Sequence, residues 1–327
     1  MKAMVYTEYG SPERLQMTTL AEPIPNDHEV LIKVHAVSIN DWDLALLNGT
    51  PFINRLMNGL TKPKKIPVLG SDIAGEVVAV GKDAQHFKIG DQVFGDLCGK
   101  GWGGFAEFVC ASEKLLTHKS ASLTFEQAAS LPQAGLLALQ GLRIKNFDAK
   151  HKHILINGAG GGAGSFAIQI AKHLGAYVTA VDAGSKFEIM LSLGADHVID
   201  YTQQDFTENV QNGQKYDLIL DFMGYHSIFD YRRALTSNGR YLMVGGRSSL
   251  IFQSVLLGPI LSLIDKKKLG ILAHQANVGI GMLIELVTSG KVVPVIDQCF
   301  SLEDLPQAMT YFATRNTKGK IIITVKN

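Results

Sequence analysis

The stretch HILINGAGGGAGSFAIQIAKHL, residues 153–174, decides the reading of this chain. His153–Asn157 holds an unbroken apolar run, as a strand covered on both faces requires. Ser165–Leu174 places its apolar residues at helical spacing. Between them lies NGAGGGAG, Asn157–Gly164, in which Gly158, Gly160 and Ala163 fit G-x-G-x-x-G/A. In such a loop one glycine permits a tight turn, and others, here Gly160, Gly161 and Gly162, let backbone amides close on a diphosphate. A small third residue lets the helix pack on the strand. The phosphates then sit at the positive end of the helix dipole. A strand before the loop and a helix after it turn a weak pattern into a specific one, and the expectation is a dinucleotide site.

Working outward, strand and helix keep alternating. Tyr177–Val181, His197–Ile199, Tyr216–Asp221 and Arg240–Val244 read as strands, with helices over Lys186–Leu193 and Ser227–Leu235. The strands are continuously apolar, which predicts a doubly wound parallel sheet of Rossmann type over residues 124–274. A single helical stretch, LTFEQAASLPQAGLLALQGL, opens this half, with Thr124 and Gln127 at capping-box spacing. Upstream the texture differs. Lys2–Tyr6, Glu29–Ala36, Gly75–Gly81, Asp91–Gly95 and Phe105–Val109 are short strands cut by turns, and Glu29–Ala36 sets Val30, Ile32 and Val34 on one side. They predict a small, partly open β-barrel over residues 1–123. Ile280, Leu283, Ile284 and Val287 mark an amphipathic helix, and the tail, with a helix at Leu302–Phe312, is expected to rejoin the barrel as residues 275–327. The fold class is α/β with two domains.

Composition narrows the function. The 327 residues suit two domains, and 46% apolar with 19% charged residues excludes a long disordered chain. A net charge of +1 gives no general pull on nucleic acid. Three cysteines (Cys98, Cys110 and Cys299) build no disulfide scaffold, no C-x-x-C pair and no four-thiolate zinc site. The opening MKAMVYTEYG has no apolar run, so no secretory signal is expected. Ser248–Ile264 (SSLIFQSVLLGPILSLI) is the longest uncharged segment and falls short of a membrane span. These points together predict a soluble, cytoplasmic protein.

Several segments in order resemble the medium-chain dehydrogenase/reductase superfamily, in its zinc-free quinone oxidoreductase (zeta-crystallin-like) branch. They are SINDWDLALLNG (Ser38–Gly49), IPVLGSDIAGEVVAVG (Ile66–Gly81), FKIGDQVFG (Phe87–Gly95), GGFAEFV (Gly103–Val109), AASLPQAGLLALQGL (Ala128–Leu142), the glycine loop and LGADHVIDY (Leu193–Tyr201). The resemblance covers nearly the whole chain. It implies a GroES-like barrel domain and a Rossmann domain, with hydride transfer from NAD(P)H in the cleft between them.

The resemblance also sharpens the metal question. Zinc alcohol dehydrogenases of this superfamily carry Cys where Asn40 stands and His where Ser71 stands. Neutral Asn and Ser are poor zinc ligands beside thiolate and imidazole. The four-cysteine lobe is replaced by CGKGWGG, Cys98–Gly104. No zinc is therefore expected, and the chemistry rests on the cofactor: hydride passes to an electron-poor carbon of a quinone or activated enone. Asn40 and Asp43 are the candidate catalytic residues, Asn40 as an uncharged donor near the acceptor oxygen and Asp43 to order its loop. Relative to several relatives, Ala45, Leu47 and Leu137 replace an aromatic residue, an Arg and a Thr, which implies an apolar acceptor pocket. Trp42, Phe52, Leu56 and Met57 are its candidate lining, and core packing is the alternative for each.

The choice of dinucleotide turns on residues with opposite tendencies. Asp182, at the end of the second strand, suits the ribose hydroxyls of NAD. Ser185 and Lys186 follow, and a cation there suits a 2′-phosphate. Lys186 and Tyr201 match positions that contact that phosphate in NADPH-using relatives, so the resemblance favours NADP(H) over NAD(H), with NAD(H) left open. Gly245, Gly246, Arg247 and Asn277 match the nicotinamide end, and Gly319 with Lys320 is placed there too. Segment 248–264, with Asp265 and Lys266–Lys268 after it, reads as a lid or dimer surface, then as a buried helix, then as a peripheral membrane contact. The family implies a homodimer. Two other functions stay open: a dinucleotide-binding interaction protein without turnover, and an alcohol dehydrogenase.

Overall fold

The computed structural model describes residues 1–98, 101–208, 215–264 and 266–326. Gly99 and Lys100 of the CGKGWGG segment, and Asp265, lie outside the described residues. The chain divides into two compact units, Met1–Gln133 with Ala276–Ile284 and Ile296–Asn327, and Ala134–Gln275 with Glu285–Val295.

The first unit is built on Glu29–Ser38, a ten-residue strand. One side pairs antiparallel with Asp72–Val80, the other with Phe108–Ser112 and then Lys320–Thr324. Register shifts at Leu31/Ile32 and Val34/Ala36 bend it, so that the sheet curls around its own core. The full order is Ile296–Ser301, Lys320–Thr324, Glu29–Ser38, Asp72–Val80, Gln92–Asp96 and Thr117–His118. Val30, Ile32 and Val34 face inward, fully buried, against Val77, Val93, Phe105 and Ile323. This is the GroES-like domain. It runs past residue 123 because the helix Phe125–Ser130 packs on this sheet, with the Phe125 ring stacked 4.3 Å from that of His35.

The second unit holds six parallel strands in the order His197–Asp200, Tyr177–Asp182, His153–Asn157, Tyr216–Asp221, Leu235–Met243 and Lys268–Ile271. Numbered along the chain this is 3-2-1-4-5-6, the doubly wound order of a dinucleotide-binding sheet. Ile154, Leu155, Ile156, Leu218, Ile219 and Leu220 are fully buried, which explains their unbroken apolar runs. The glycine loop follows the first strand, where the winding reverses direction.

Three expectations need correction. The helical stretch after Thr124 is two helices, Phe125–Ser130 and Pro132–Leu142, because Pro132 has no N–H to continue the first. The strand placed at Phe105–Val109 lies at Phe108–Ser112, in register with Glu29–Lys33, while the Phe105 amide is held by the Leu69 carbonyl at 3.0 Å. The helix placed at Lys186–Leu193 begins as a 3-10 turn over Gly184–Lys186 and becomes α-helical only over Phe187–Ser192. Ser248–Ile264 is a helix throughout, and it is not buried all round. Leu250, Ser254, Gly258 and Leu261 face inward, while Phe252, Val255, Leu256, Ile260, Leu263 and Ile264 are exposed. Among the described residues no helix is long and apolar enough to cross a membrane.

Candidate functional site

The helix Gly162–His173 begins inside the glycine loop, with Gly161 at its N-cap. Its first internal hydrogen bond runs from Ser165 N to Gly161 O at 2.9 Å, so the amides of Gly162, Ala163 and Gly164 precede the ladder. Gly161, Gly162 and Ala163 are half-exposed, and the twelve-residue helix directs its positive end at them. Backbone donors, small residues and an accessible face fit a dinucleotide diphosphate.

The individual glycines have distinct reasons. Gly158 sits at φ +81° in the turn. A Cβ on Gly164 would lie 2.2 Å from the Gly158 carbonyl oxygen, so this glycine is what allows the helix to lie against the strand end. The motif as read from sequence gave that role to Ala163, one residue early; Ala163 is half-exposed. The run of glycines offered several frames, and only the packing selects one.

Asp182 and Lys186 were read as alternatives, and the structure pairs them. Asp182 Oδ2 accepts from Gly160 N at 2.9 Å, and Oδ1 accepts from Ala183 N at 2.8 Å. Lys186 Nζ stands 3.1 Å from Oδ1, and both side chains are nearly buried. The Lys186 stem lies over Gly160, where a Cβ would come within 2.6 Å of Cδ. The carboxylate is thus locked to the glycine loop and neutralised there. Ser185 is exposed in the 3-10 turn. Tyr201 is exposed, its ring 6.0 Å from that of Tyr225. Gly245 and Gly246 follow the fifth strand, and a Cβ on Gly246 would lie 2.5 Å from Gly224 Cα. Their lack of side chains serves a close crossing of two loops within this unit.

In the first unit Asn40 begins the helix Asp41–Asn48 and is 4% exposed. Its amide N–H donates to Asp43 Oδ2 at 2.8 Å, and Gly70 N donates to Asp43 Oδ1 at 2.9 Å. Asp43 ties these two loops together. Burial pushes its carboxyl up to about 7, against the pull of the two amides. Lys320 Nζ donates to Asn40 Oδ1 at 2.5 Å and to Ile39 O at 3.0 Å. Asn40 therefore has its carbonyl oxygen engaged by a buried ammonium, a role the sequence did not show. Asn277 spends its side-chain amide on the Asp96 backbone, accepting from N and donating to O at 2.9 Å each. It braces a strand within the first unit. Trp42, Phe52, Leu56 and Met57 are 44–62% exposed on and beside the helices Asp41–Asn48 and Ile53–Asn58, which fits a surface that receives an apolar partner better than a core. Leu47, expected beside them, is instead fully buried.

Ser71 Oγ, like Asn40, lies where the resemblance put a zinc ligand, and among the described residues no group of three or more His, Cys, Asp or Glu side chains could hold a metal ion.

Comparison with known proteins agrees with this architecture. Residues 26–121 match the alcohol dehydrogenase GroES-like domain, and residues 193–323 match a family described as zinc-binding dehydrogenase. The chain is 33% identical to a chloroplastic quinone oxidoreductase of Triphysaria versicolor, covering 99% of this chain and 98% of that one. It is 33% identical to a mitochondrial NAD(P)H oxidoreductase of Mus musculus, covering 99% of this chain and 89% of that one. The solved quinone oxidoreductase of Coxiella burnetii superposes with a TM-score of 0.87 at 30% identity, covering 100% of this chain and 99% of that one. With a GroES-like sheet, a 3-2-1-4-5-6 sheet and a glycine-started helix in one chain, and relatives of this identity along its whole length, the chain belongs to the medium-chain dehydrogenase/reductase superfamily, in its quinone oxidoreductase branch.

Proposed function

We propose that the protein is a zinc-independent reductase that uses NADPH in preference to NADH and passes hydride to a small apolar quinone or activated enone. The observation that carries this reading is the helix start at Gly161–Ala163, three half-exposed small residues after the first strand of the dinucleotide sheet. Bound NAD(P)H supplies the hydride. Gly161, Gly162 and Ala163 hold the diphosphate, and the exposed apolar residues Trp42, Phe52, Leu56 and Met57 offer a face to the acceptor. The test is steady oxidation of NADPH with 1,4-benzoquinone and a panel of enones. Tight nucleotide binding with no acceptor turned over would instead mark a dinucleotide-binding interaction protein. Turnover of simple alcohols with NAD and loss of it on chelation would favour the alcohol dehydrogenase.

The preference for NADPH is supported by the engagement of Asp182. With its oxygens held by Gly160 N, Ala183 N and Lys186 Nζ, the carboxylate is neither offered to ribose hydroxyls nor left as bare negative charge against a 2′-phosphate. Asp182→Gly removes the charge and releases Lys186 from it. The NADPH/NADH ratio of kcat/KM is expected to rise about tenfold, the size of one added charge-assisted contact. An unchanged ratio would remove Asp182 and Lys186 from the account of cofactor choice.

A homodimer in a reducing compartment such as the cytoplasm completes the proposal, supported by three free thiols and by the exposed apolar face of Ser248–Ile264. Leu256→Glu with Ile260→Glu is expected to halve the mass seen by sedimentation. Pelleting of the native protein with anionic vesicles at low salt would instead assign that face to lipid.

A further inference from the structure

Asp221 ends the fourth strand of the second unit, Tyr216–Asp221, in register with Asn157 at the end of the first strand and Met243 at the end of the fifth. Its side chain is fully buried. Oδ1 accepts from Asn157 Nδ2 at 2.8 Å, from Gly224 N at 2.8 Å and from Met223 N at 3.1 Å. Oδ2 accepts from the Tyr241 hydroxyl at 3.0 Å. None of these donors carries charge. Aspartate is rarely buried whole, and taking a carboxylate out of water costs more than neutral donors alone return. The strand itself needs no such residue at this point, so the reason lies in what the carboxylate holds.

It holds the turn 222–224, and that turn lies against the glycine loop. Phe222 N donates to Asn157 O at 3.0 Å. A Cβ on Gly158 would lie 2.8 Å from Met223 Cγ and 3.3 Å from Phe222 Cβ. Gly224, at φ +41°, is pinned at both ends: its N–H goes to Asp221 Oδ1, and its carbonyl accepts from Arg247 N at 3.0 Å. A Cβ on it would come within 2.5 Å of Gly245 O. One oxygen thus fixes a turn that touches the glycine loop on one side and the 245–247 turn on the other. An ionised oxygen suits three donors at once, because charge-assisted hydrogen bonds are about twice as strong as neutral ones. On the far side the Tyr241 ring stacks on that of Tyr231 at 4.2 Å. Burial, and then the Asp221 charge, push the Tyr241 phenol upward, so it stays a donor.

We infer that Asp221 is a positioning residue for the dinucleotide, and that its carboxylate sets the turn 222–224 for the nicotinamide half of that ligand. The role rests on the dinucleotide reading above. In a doubly wound sheet the two halves of a dinucleotide lie on either side of the point where the strand order reverses. The adenosine half belongs to the second and third strands, where Asp182 and Tyr201 stand. The other half belongs to the fourth and fifth strands, which the turns 222–224 and 245–247 follow. Asp221 is buried beneath the first of these turns and acts through its amides. A turn fixed in advance spares the ordering cost that binding otherwise carries. Without the carboxylate, Met223 N, Gly224 N and Asn157 Nδ2 lose their common acceptor, and the nucleotide has to order the turn itself.

Binding alone tests this, with no turnover needed. Native protein and variants are titrated with NADPH and with 2′,5′-ADP, which is the adenosine half by itself. Asp221→Ala is expected to weaken NADPH about tenfold, the size of one lost hydrogen bond to a charged group, and to leave 2′,5′-ADP within about twofold of native. Asp221→Asn keeps an oxygen for the two amides and is expected to hold NADPH within about threefold. Tyr241→Phe removes only the bond to Oδ2, so it should lower the melting temperature and leave NADPH affinity native. A purely structural Asp221 would weaken both ligands alike or neither, and each of those results overturns the role. Asp221→Asn no better than Asp221→Ala overturns it too, because the nucleotide would then respond to charge and not to the hold on the turn. Should Asp221→Ala not fold, hydrogen exchange on the native protein decides. The Met223 and Gly224 amides are expected to be protected before any nucleotide is added, and fast exchange at both overturns the role. If the native protein binds neither NADPH nor 2′,5′-ADP, the dinucleotide reading fails and takes the role with it. If it binds both and Asp221→Ala changes neither, the role alone fails.

Discussion

Lys320→Met is expected to destabilise the protein by about 3–5 kcal/mol above pH 8, the size found when one partner of a buried charge group is removed. Lys320 faces Asp72, Asp43, Asp41 and Asp96, and is buried in the first unit. Without it Asp43 and Asp72 keep the amides of Asn40, Gly70 and Gln133 and the Ser38 hydroxyl. The pH dependence follows from linkage. Asp43 and Asp72 have folded values raised from 3.8 to about 7 and about 8, so the folded state binds more protons than the unfolded chain across that interval. Their contribution to stability is therefore whole below about pH 4 and is lost as pH rises through 7–8. Removing Lys320 raises both carboxyls further and makes that loss steeper. Once the carboxyls are protonated, the buried ammonium has less to pair with, and its burial penalty tells against the native protein instead. The deficit of the variant should shrink as pH falls toward 5 and can change sign there. Urea unfolding midpoints of both proteins across this range measure it. A deficit that does not vary with pH would mean that Lys320 acts through packing alone.

Gly164→Ala is expected to weaken nucleotide binding at least tenfold and to lower stability by about 1–3 kcal/mol. The added Cβ would meet the Gly158 carbonyl oxygen at 2.2 Å and Ala159 Cα at 2.5 Å. These are backbone atoms of the diphosphate turn, so no rotamer change relieves the contact. The helix must move off the strand, and the amides of Gly162 and Ala163 move with it. Because those amides act together, a shift of this kind should weaken NADPH at least tenfold, or about 1.4 kcal/mol. Ala163→Gly is the control: position 163 is half-exposed, and little change is expected there. Fluorescence titration with NADPH and thermal unfolding give the two readouts. Wild-type affinity in Gly164→Ala would show that helix and strand do not need this contact to form the site.

The fold was legible because its signals are local. Apolar runs at Ile154–Ile156 and Leu218–Leu220, and glycines between strand and helix, report on burial and backbone geometry that neighbours in the chain impose. Errors arose where a short-range rule competed with another. Pro132 lay inside a helical pattern, and Phe105 looked like a strand residue while its amide was bound by Leu69. Asp182 and Lys186 show the same limit in the site. Each could be assigned a partner on the cofactor, yet four residues apart on a tight turn they pair with one another.

Sequence alone determined the alternation of strand and helix around the glycine loop, the two-domain plan and the helix start that suits a diphosphate, because periodicity, glycine and proline act over a few residues. Tertiary structure alone decided that Gly164 is the packing glycine, that Asn277 braces Asp96, and that Asp72, Asp96 and Lys320 meet. Those residues lie far apart in the chain, and only the pairing of strands brings their charges close enough, in a medium dry enough, for one to set the protonation of another.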